Sequence, residues 1–249
     1  MSNLISVIIP FYKKRFFFQK TIKSVYDQSY KNFEIILIYD DKSRKDLEFV
    51  KKILKKIKKK KIIINKKNLG VGKSRNAGIK IAKGNYVAFL DADDVWRKDK
   101  LKYQLNFMKK NNINFSYTDY LIIDKNEKVI KKIKSPKNIR FKNLLYSCDI
   151  GLSSVMISSK LLKPNSFSNI KTKEDYVLWL KLSKQKIKML GINKSLTKWR
   201  KTRDSLSSST IQKLKDAYTV YNKYLKFNLF KSLILTFILS LNFIKKRYL

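Results

Sequence analysis

The chain has 249 residues, 44% of them hydrophobic, which suits one large α/β domain or one domain with a small appendage. A single cysteine, Cys148, excludes an internal disulfide framework and a cysteine-based zinc cluster, and the absence of histidine excludes Ser-His-Asp and Cys-His sites. The formal charge of +40 is almost all lysine, spread evenly along the chain. Phosphate and base readers favour arginine, so no nucleic-acid partner is expected, whereas a weak attraction to anionic lipid is.

The first half alternates strand and helix. Residues 5–10 read as a buried strand, without the basic region or cleavage site of a signal peptide, so a cytoplasmic location is expected. Residues 16–28 follow as a helix with Ile22, Val25 and Tyr26 inward. Residues 33–39 are a second strand, and residues 47–59 a lysine-coated helix with Leu47, Val50, Ile53, Leu54 and Ile57 on one face. Residues 62–64 are a third strand, 74–82 a helix and 86–90 a fourth strand. Apolar strands separated by helices predict a mostly parallel central sheet flanked by helices, with ligands at the carboxyl ends of the strands. Pro10, Asp40, Asp41, Asp91 and Asp93 all fall at such ends.

The second half is less regular. It reads as a helix over 98–110, a hairpin over 116–133 turning at 124–127, a strand over 153–158 and a helix over 173–184. Residues 1–205 are taken as one domain, with a nucleotide-binding half of about 1–95 and an acceptor half of about 96–205. Residues 206–249 form a helical, partly apolar tail. Its uncharged stretch, 232–244, covers roughly 20 Å as a helix, short of a ~30 Å hydrocarbon core. Two readings of the tail stay open: a helix lying on a membrane or partner, and a helix packed on its own domain.

The run from Tyr86 to Asp94 stops an apolar strand in three carboxylates within four positions. Buried carboxylates need a partner, and a hard divalent cation on phosphate oxygens is a natural one. Asp91 and Asp93 lie two apart, so on an extended chain they point the same way. The same run also reads as an acidic turn that closes a strand and caps a helix.

Five segments in order resemble the family-two glycosyltransferases, which use a nucleotide-diphospho-sugar on a GT-A fold. They are Ser6-Val7-Ile8-Ile9-Pro10-Phe11-Tyr12, Phe33 through Ser43, Asn68 through Gly78, Leu90-Asp91-Ala92-Asp93-Asp94, and Glu174-Asp175 followed by Trp179. The resemblance implies that Tyr12 stacks on a nucleobase and that Asp41, with Asp40, accepts its imino hydrogen. It implies Arg75 at the diphosphate, Asp93 on a Mn2+ or Mg2+ ion, and Asp91 toward the ribose or a metal-bound water. Asp175 would be the general base of an inverting transfer, with Glu174 orienting it. Arg200 and Arg203 would close over the diphosphate. The bland alternatives are a rim aromatic at Tyr12, a surface Arg75, and exposed acids at Glu174 and Asp175. A UDP-sugar donor and a glycan or lipid-linked acceptor follow from the resemblance, whereas peripheral contact with the inner face of the cell membrane is expected from the lysine-rich surface and the apolar C-terminal segment.

Two departures qualify it. Lys42 stands where the family usually has glycine, a substitution that costs about 1 kcal/mol or more if the position needs a positive φ. Lys198-Trp199-Arg200 is not the Gln-X-X-Arg-Trp pattern of processive relatives, so a single-addition enzyme is expected. The competing functions are a nucleotide binder without catalysis and a sugar nucleotidyltransferase. The latter class opens with a Gly-rich phosphate loop, and residues 10–14 contain no glycine.

Overall fold

The computed structural model describes residues 3–202 and 209–248. Strands β1 (Ile5–Phe11), β2 (Phe33–Tyr39), β3 (Lys60–Ile64) and β4 (Tyr86–Phe89) lie parallel in the order β3-β2-β1-β4. Helices α1 (Arg15–Tyr26), α2 (Arg44–Leu54) and α3 (Val71–Ile81) connect them. Their strands are apolar at nearly every position because both faces are covered. Val7, Ile9, Ile35 and Leu37 meet α1 and α2, whereas Ile8, Ile36 and Ile38 lie in a core on the opposite face. Gly78 lets α3 lie close on that face, where a Cβ would come within 2.7 Å of Ile8 Cγ2.

Beyond β4 the sheet becomes mixed. After the short strand β5 (Val95–Trp96) and helix α4 (Lys100–Lys110) comes β6 (Phe115–Ile123), which forms the expected hairpin with β7 (Val129–Ile133). Strand β8 (Asn138–Ile139) and helix α5 (Phe141–Tyr146) follow. Strand β9 (Met156–Ser158) inserts antiparallel between β4 and β6. Helix α6 (Glu174–Lys184) leads to β10 (Met189–Arg200), which runs parallel to β6. The chain ends in α7 (Thr210–Thr219), a π-helical turn over Val220–Tyr224, and α8 (Leu229–Tyr248).

The long strand β10 has no counterpart in the sequence reading. Its apolar pattern is broken by register shifts between Ile192 and Ser195 and between Ser195 and Thr197, which blur the two-residue period. Helix α2 starts three residues before the expected Leu47, where Ser43 Oγ accepts from Asp46 N at 3.2 Å, and ends at Leu54. Residues 55–59 are spent on the return to β3.

The tail packs on the domain. Ala217, Val220, Tyr221, Leu235 and Leu239 share one core with α5 and α6. Among the described residues no helix is long and apolar enough to cross a membrane.

Candidate active site

Three strand ends converge. β1 continues past its last pairing with β4, at Ile8, so the missing N–H of Pro10 leaves no ladder bond unmade on that side. Tyr12 follows at the rim, 40% exposed, with Lys13 Nζ 5.3 Å from its ring centre. The turn after it holds Lys13 at φ 51, and Lys13 N donates to Asp41 Oδ2 at 2.9 Å. Asp41 thus ties the β1–α1 turn to the β2–α2 turn while remaining partly exposed. Lys42 is not among the positive-φ residues, so the acidic turn here has no need of a glycine.

Asp40 faces inward instead of toward a base. It is 3% exposed and accepts from Asn65 Nδ2 at 2.7 Å, Leu69 N at 2.8 Å and Gly70 N at 3.0 Å. Its carboxylate shapes the loop that launches α3, so of the two acids only Asp41 stays at the rim.

That launch matters because α3 reaches across to the other half of the site. Gly72 lets the Ser168 carbonyl approach so closely that a Cβ would lie 2.2 Å from its oxygen. Asn76 clamps Phe167 with a pair of bonds, Nδ2 to O at 2.8 Å and Oδ1 from N at 2.9 Å. Arg75, between them, is 3% exposed. Its guanidinium bonds Asp91 Oδ1 at 2.7 Å and pairs with Glu174 Oε1. It is neither a surface arginine nor free for a diphosphate in this arrangement. Burial opposes its charge, but Asp91, Glu174 and Asp175 outweigh that and raise its pKa.

Asp91 to Asp94 form one turn, closed by Asp94 N donating to Asp91 O at 3.0 Å. The expectation that Asp91 and Asp93 point the same way is therefore corrected, because it assumed an extended chain. Asp91 reaches Arg75, whereas Asp93 Oδ2 lies 2.7 Å from Lys14 Nζ. Burial raises the pKa of Asp93 despite Lys14, and nearby Asp91 adds to the shift. Asp94 is wholly buried and anchors the end of β10 by accepting from Arg200 N at 2.8 Å. Burial, then Asp93 and Asp91, push its carboxyl well above the ordinary range.

Arg200 is also corrected by its surroundings. It is 1% exposed, with Nε donating to Asp93 O at 2.8 Å and Nη1 to Asp124 O at 3.0 Å. With its donors committed to the acidic turn and the β6–β7 hairpin, it braces the site from beneath and does not close over it. Arg203 lies outside the described residues.

Glu174 and Asp175 open α6 after Lys173, which sits at φ 65. Glu174 is 7% exposed, so the exposed-acid alternative fails for it. Burial pushes Glu174 up to about 7 against the pull of Arg75, with Asp175 adding to the rise. Asp175 Oδ1 accepts from Tyr176 N at 2.7 Å. Burial raises its pKa too; Arg75, the Tyr176 bond and Lys173 pull down, and Asp91 pushes up. A carboxylate with an elevated pKa beside the acidic turn is suited to taking a proton.

Asp91 and Asp93 present hard oxygen donors, the set a Mn2+ or Mg2+ ion takes, with nucleotide phosphates left to complete it. Among the described residues no group of three or more His, Cys, Asp or Glu forms a full protein cage. The Lys14 ammonium on Asp93 occupies a place a cation would take, so Asp93 fits such an ion, with Asp91 beside it engaging Arg75 through Oδ1.

Sequence reasoning passed over Lys14, Tyr120 and Asp216. Tyr120 packs on Gly151, and Asp175 is among the charges that raise its phenol, after burial, Cys148, Asp149 and Asp94. Asp216 in α7 accepts from Thr172 N and Oγ1, both at 2.8 Å, just before α6. No motif marks these positions, because they meet only through long-range packing.

The family model for Glycosyl transferase family 2 matches residues 6–167. The chain is 35% identical over 228 residues to the UDP-Glc:alpha-D-GlcNAc-diphosphoundecaprenol beta-1,3-glucosyltransferase WfgD of Escherichia coli, covering 90% of this chain and 87% of that protein. It is 38% identical over 214 residues to WfaP of Escherichia coli, which carries the same activity in its name, covering 85% and 83%. Among solved structures, S. aureus TarS 1-349 in complex with UDP-GlcNAc aligns with TM-score 0.73 at 22% identity, over 88% of this chain and 65% of that one. The mannosyltransferase PcManGT of Pyrobaculum calidifontis, in complex with GDP-Man and Mn2+, aligns with TM-score 0.69 at 12% identity, over 94% and 68%. The fold is of the GT-A type.

Proposed function

The chain belongs to glycosyl transferase family 2, and from that premise we propose that it moves one sugar from a nucleotide-diphospho-sugar to a hydroxyl of a lipid-linked glycan acceptor during cell-surface glycan synthesis. The UDP-Glc and diphosphoundecaprenol in the names of WfgD and WfaP support a UDP-sugar donor and a polyprenyl-linked acceptor. The observation that carries the reading is the bridge from Asp91 through Arg75 to Glu174. It fastens the donor-side acidic turn to the first turn of α6, beside Asp175.

Tyr12 offers the nucleobase a face, and Asp41 accepts its imino hydrogen. Asp93, with Asp91, would hold Mn2+ or Mg2+, which when bound neutralises charge on the departing diphosphate. Lys14 balances Asp93 until then. Asp175 takes the proton of the acceptor hydroxyl as its oxygen bonds to the anomeric carbon. The bond from that carbon to the diphosphate breaks in the same displacement, and the nucleoside diphosphate leaves with the electron pair. One base suffices, and the anomeric configuration inverts. Glu174, held by Arg75, keeps α6 in place. Association with the cytoplasmic face of the membrane that carries the acceptor belongs to the same reading.

The test is a calorimetric titration with nucleoside diphosphates and their sugars, with and without Mn2+, followed by turnover on a polyprenyl-diphosphate sugar. Metal-dependent binding of one nucleotide, lost in Asp93→Ala, is expected. No binding to a folded protein would refute the donor reading. Binding without turnover would leave a nucleotide binder, and a product with retained configuration would refute single displacement.

A further inference from the structure

Helix α8 divides into two faces. Ser232, Leu235, Thr236 and Leu239 are buried against the domain. On the opposite side Phe230 (76% exposed), Leu233, Ile234 (59%), Phe237 (64%), Leu241 and Ile244 stand in solvent. At 3.6 residues per turn these six fall within a stripe about 100° wide, and the helix runs about 30 Å. A continuous apolar stripe of this size marks a surface that meets something.

The charge around it selects the partner. From Ala217 onward the chain has no acidic residue, while Lys223, Lys226, Lys231, Lys245, Lys246 and Arg247 are all basic. Lys231 and Lys245 lie along one flank of the stripe by helical position. A second copy of this face would bring like charges together, whereas an anionic bilayer takes both the apolar stripe and the lysines. Since its other face is occupied by the protein, α8 could meet a bilayer only by lying in the membrane plane.

We propose that the outer face of α8 is a bilayer-docking surface for anionic lipid, set on the acceptor side of the enzyme. It deepens the reading of a lipid-linked acceptor and rests on that reading only for its purpose. The placement agrees with it. Asn242 Nδ2 donates to Tyr146 O of α5 at 2.8 Å, and the Tyr176 hydroxyl at the start of α6 donates to Leu144 O of the same helix. Tyr221, in the turn before α8, lies 3.1 Å from that hydroxyl, O to O. The docked helix is thus one layer from the turn that carries Asp175.

Flotation of the full chain with equimolar phosphatidylglycerol/phosphatidylethanolamine vesicles, and with phosphatidylcholine vesicles, tests this. The chain is expected to float with the anionic vesicles and at least tenfold less with the neutral ones. Phe230→Ser/Ile234→Ser/Phe237→Ser changes only exposed positions and is expected to lower vesicle affinity at least tenfold, with unchanged nucleotide titration. Lys231→Glu/Lys245→Glu, which keeps the apolar stripe, is expected to lower affinity for the anionic vesicles at least tenfold. Wild-type protein that floats with neither vesicle, or a serine variant that floats as well as wild type, overturns the proposal. So does a wild-type dimer, by sedimentation velocity, that the serine variant turns into monomer. Vesicle binding without nucleotide binding would keep the docking surface and remove the proposed function; the reverse would do the opposite.

Discussion

Replacing Arg75 by methionine removes the cation shared by Asp91 and Glu174. The two contacts are not equal. The Asp91 side chain is 32% exposed, so water takes over much of its share, but that of Glu174 is 9% exposed. Stranding one partner of a buried pair costs about 3–5 kcal/mol, and the lower end applies here because Glu174 can escape by taking a proton. Glu174 sits at about 7 with Arg75 present, and losing the cation pushes it higher. A carboxyl raised in the folded state contributes stability that is present below its ordinary pKa and lost as pH rises through the raised value. The loss in Arg75→Met should therefore be small in mildly acid solution and approach about 3 kcal/mol in mildly alkaline solution. Urea unfolding across that range measures it. Arg75→Met/Glu174→Gln should recover more than half of the loss and flatten its pH dependence. A loss under about 1 kcal/mol, or one independent of pH, would show that the bridge is worth no more than a surface pair and refute the reasoning.

Asp175→Asn should lower kcat by about 10²–10⁴-fold while nucleotide affinity stays as in wild type, by calorimetry and steady-state kinetics. Because burial raises Asp175, the acid limb of the wild-type rate profile should lie above the ordinary carboxylate range, and Lys173→Met, which removes a lowering charge, should move it higher. Asp216→Ala strands the N–H and hydroxyl of Thr172; about 1–3 kcal/mol of stability should go, and kcat should fall with nucleotide affinity intact. Gly72→Ala places a methyl against the Ser168 carbonyl, a backbone atom that cannot turn aside. About 1–3 kcal/mol or more should be lost in thermal unfolding, together with turnover.

The strands and helices of the first half were legible because each buries a face with its own period. Residues 33–39 match β2 to the residue. The carboxyl-end acids were legible for a related reason: a polar residue at the end of a buried strand departs from the pattern and needs a partner. Pattern did not say which acid does what. Asp40 and Asp41 are neighbours of one type, yet one turns into the α3 loop and the other stays at the rim, a choice made by Asn65, Leu69 and Gly70, which lie outside the segment that carries the two acids. Arg200 was visible as a basic residue in the right region, but only the pairing of β10 with β6 brings it beneath Asp93 and Asp94.

What the sequence alone determined is what depends on neighbours along the chain: the alternation of strand and helix, the order of the motifs, and a basic, partly apolar tail too short in its uncharged stretch to span a bilayer. Only the tertiary structure decided what depends on residues far apart meeting. Arg75 and Glu174 are 99 positions apart and Lys14 and Asp93 are 79, and no period or spacing records such contacts. The same holds for α8, whose apolar residues look alike in sequence. Packing on α5 and α7 buries one set and leaves the other in solvent, because a helix can offer only one side to its own domain.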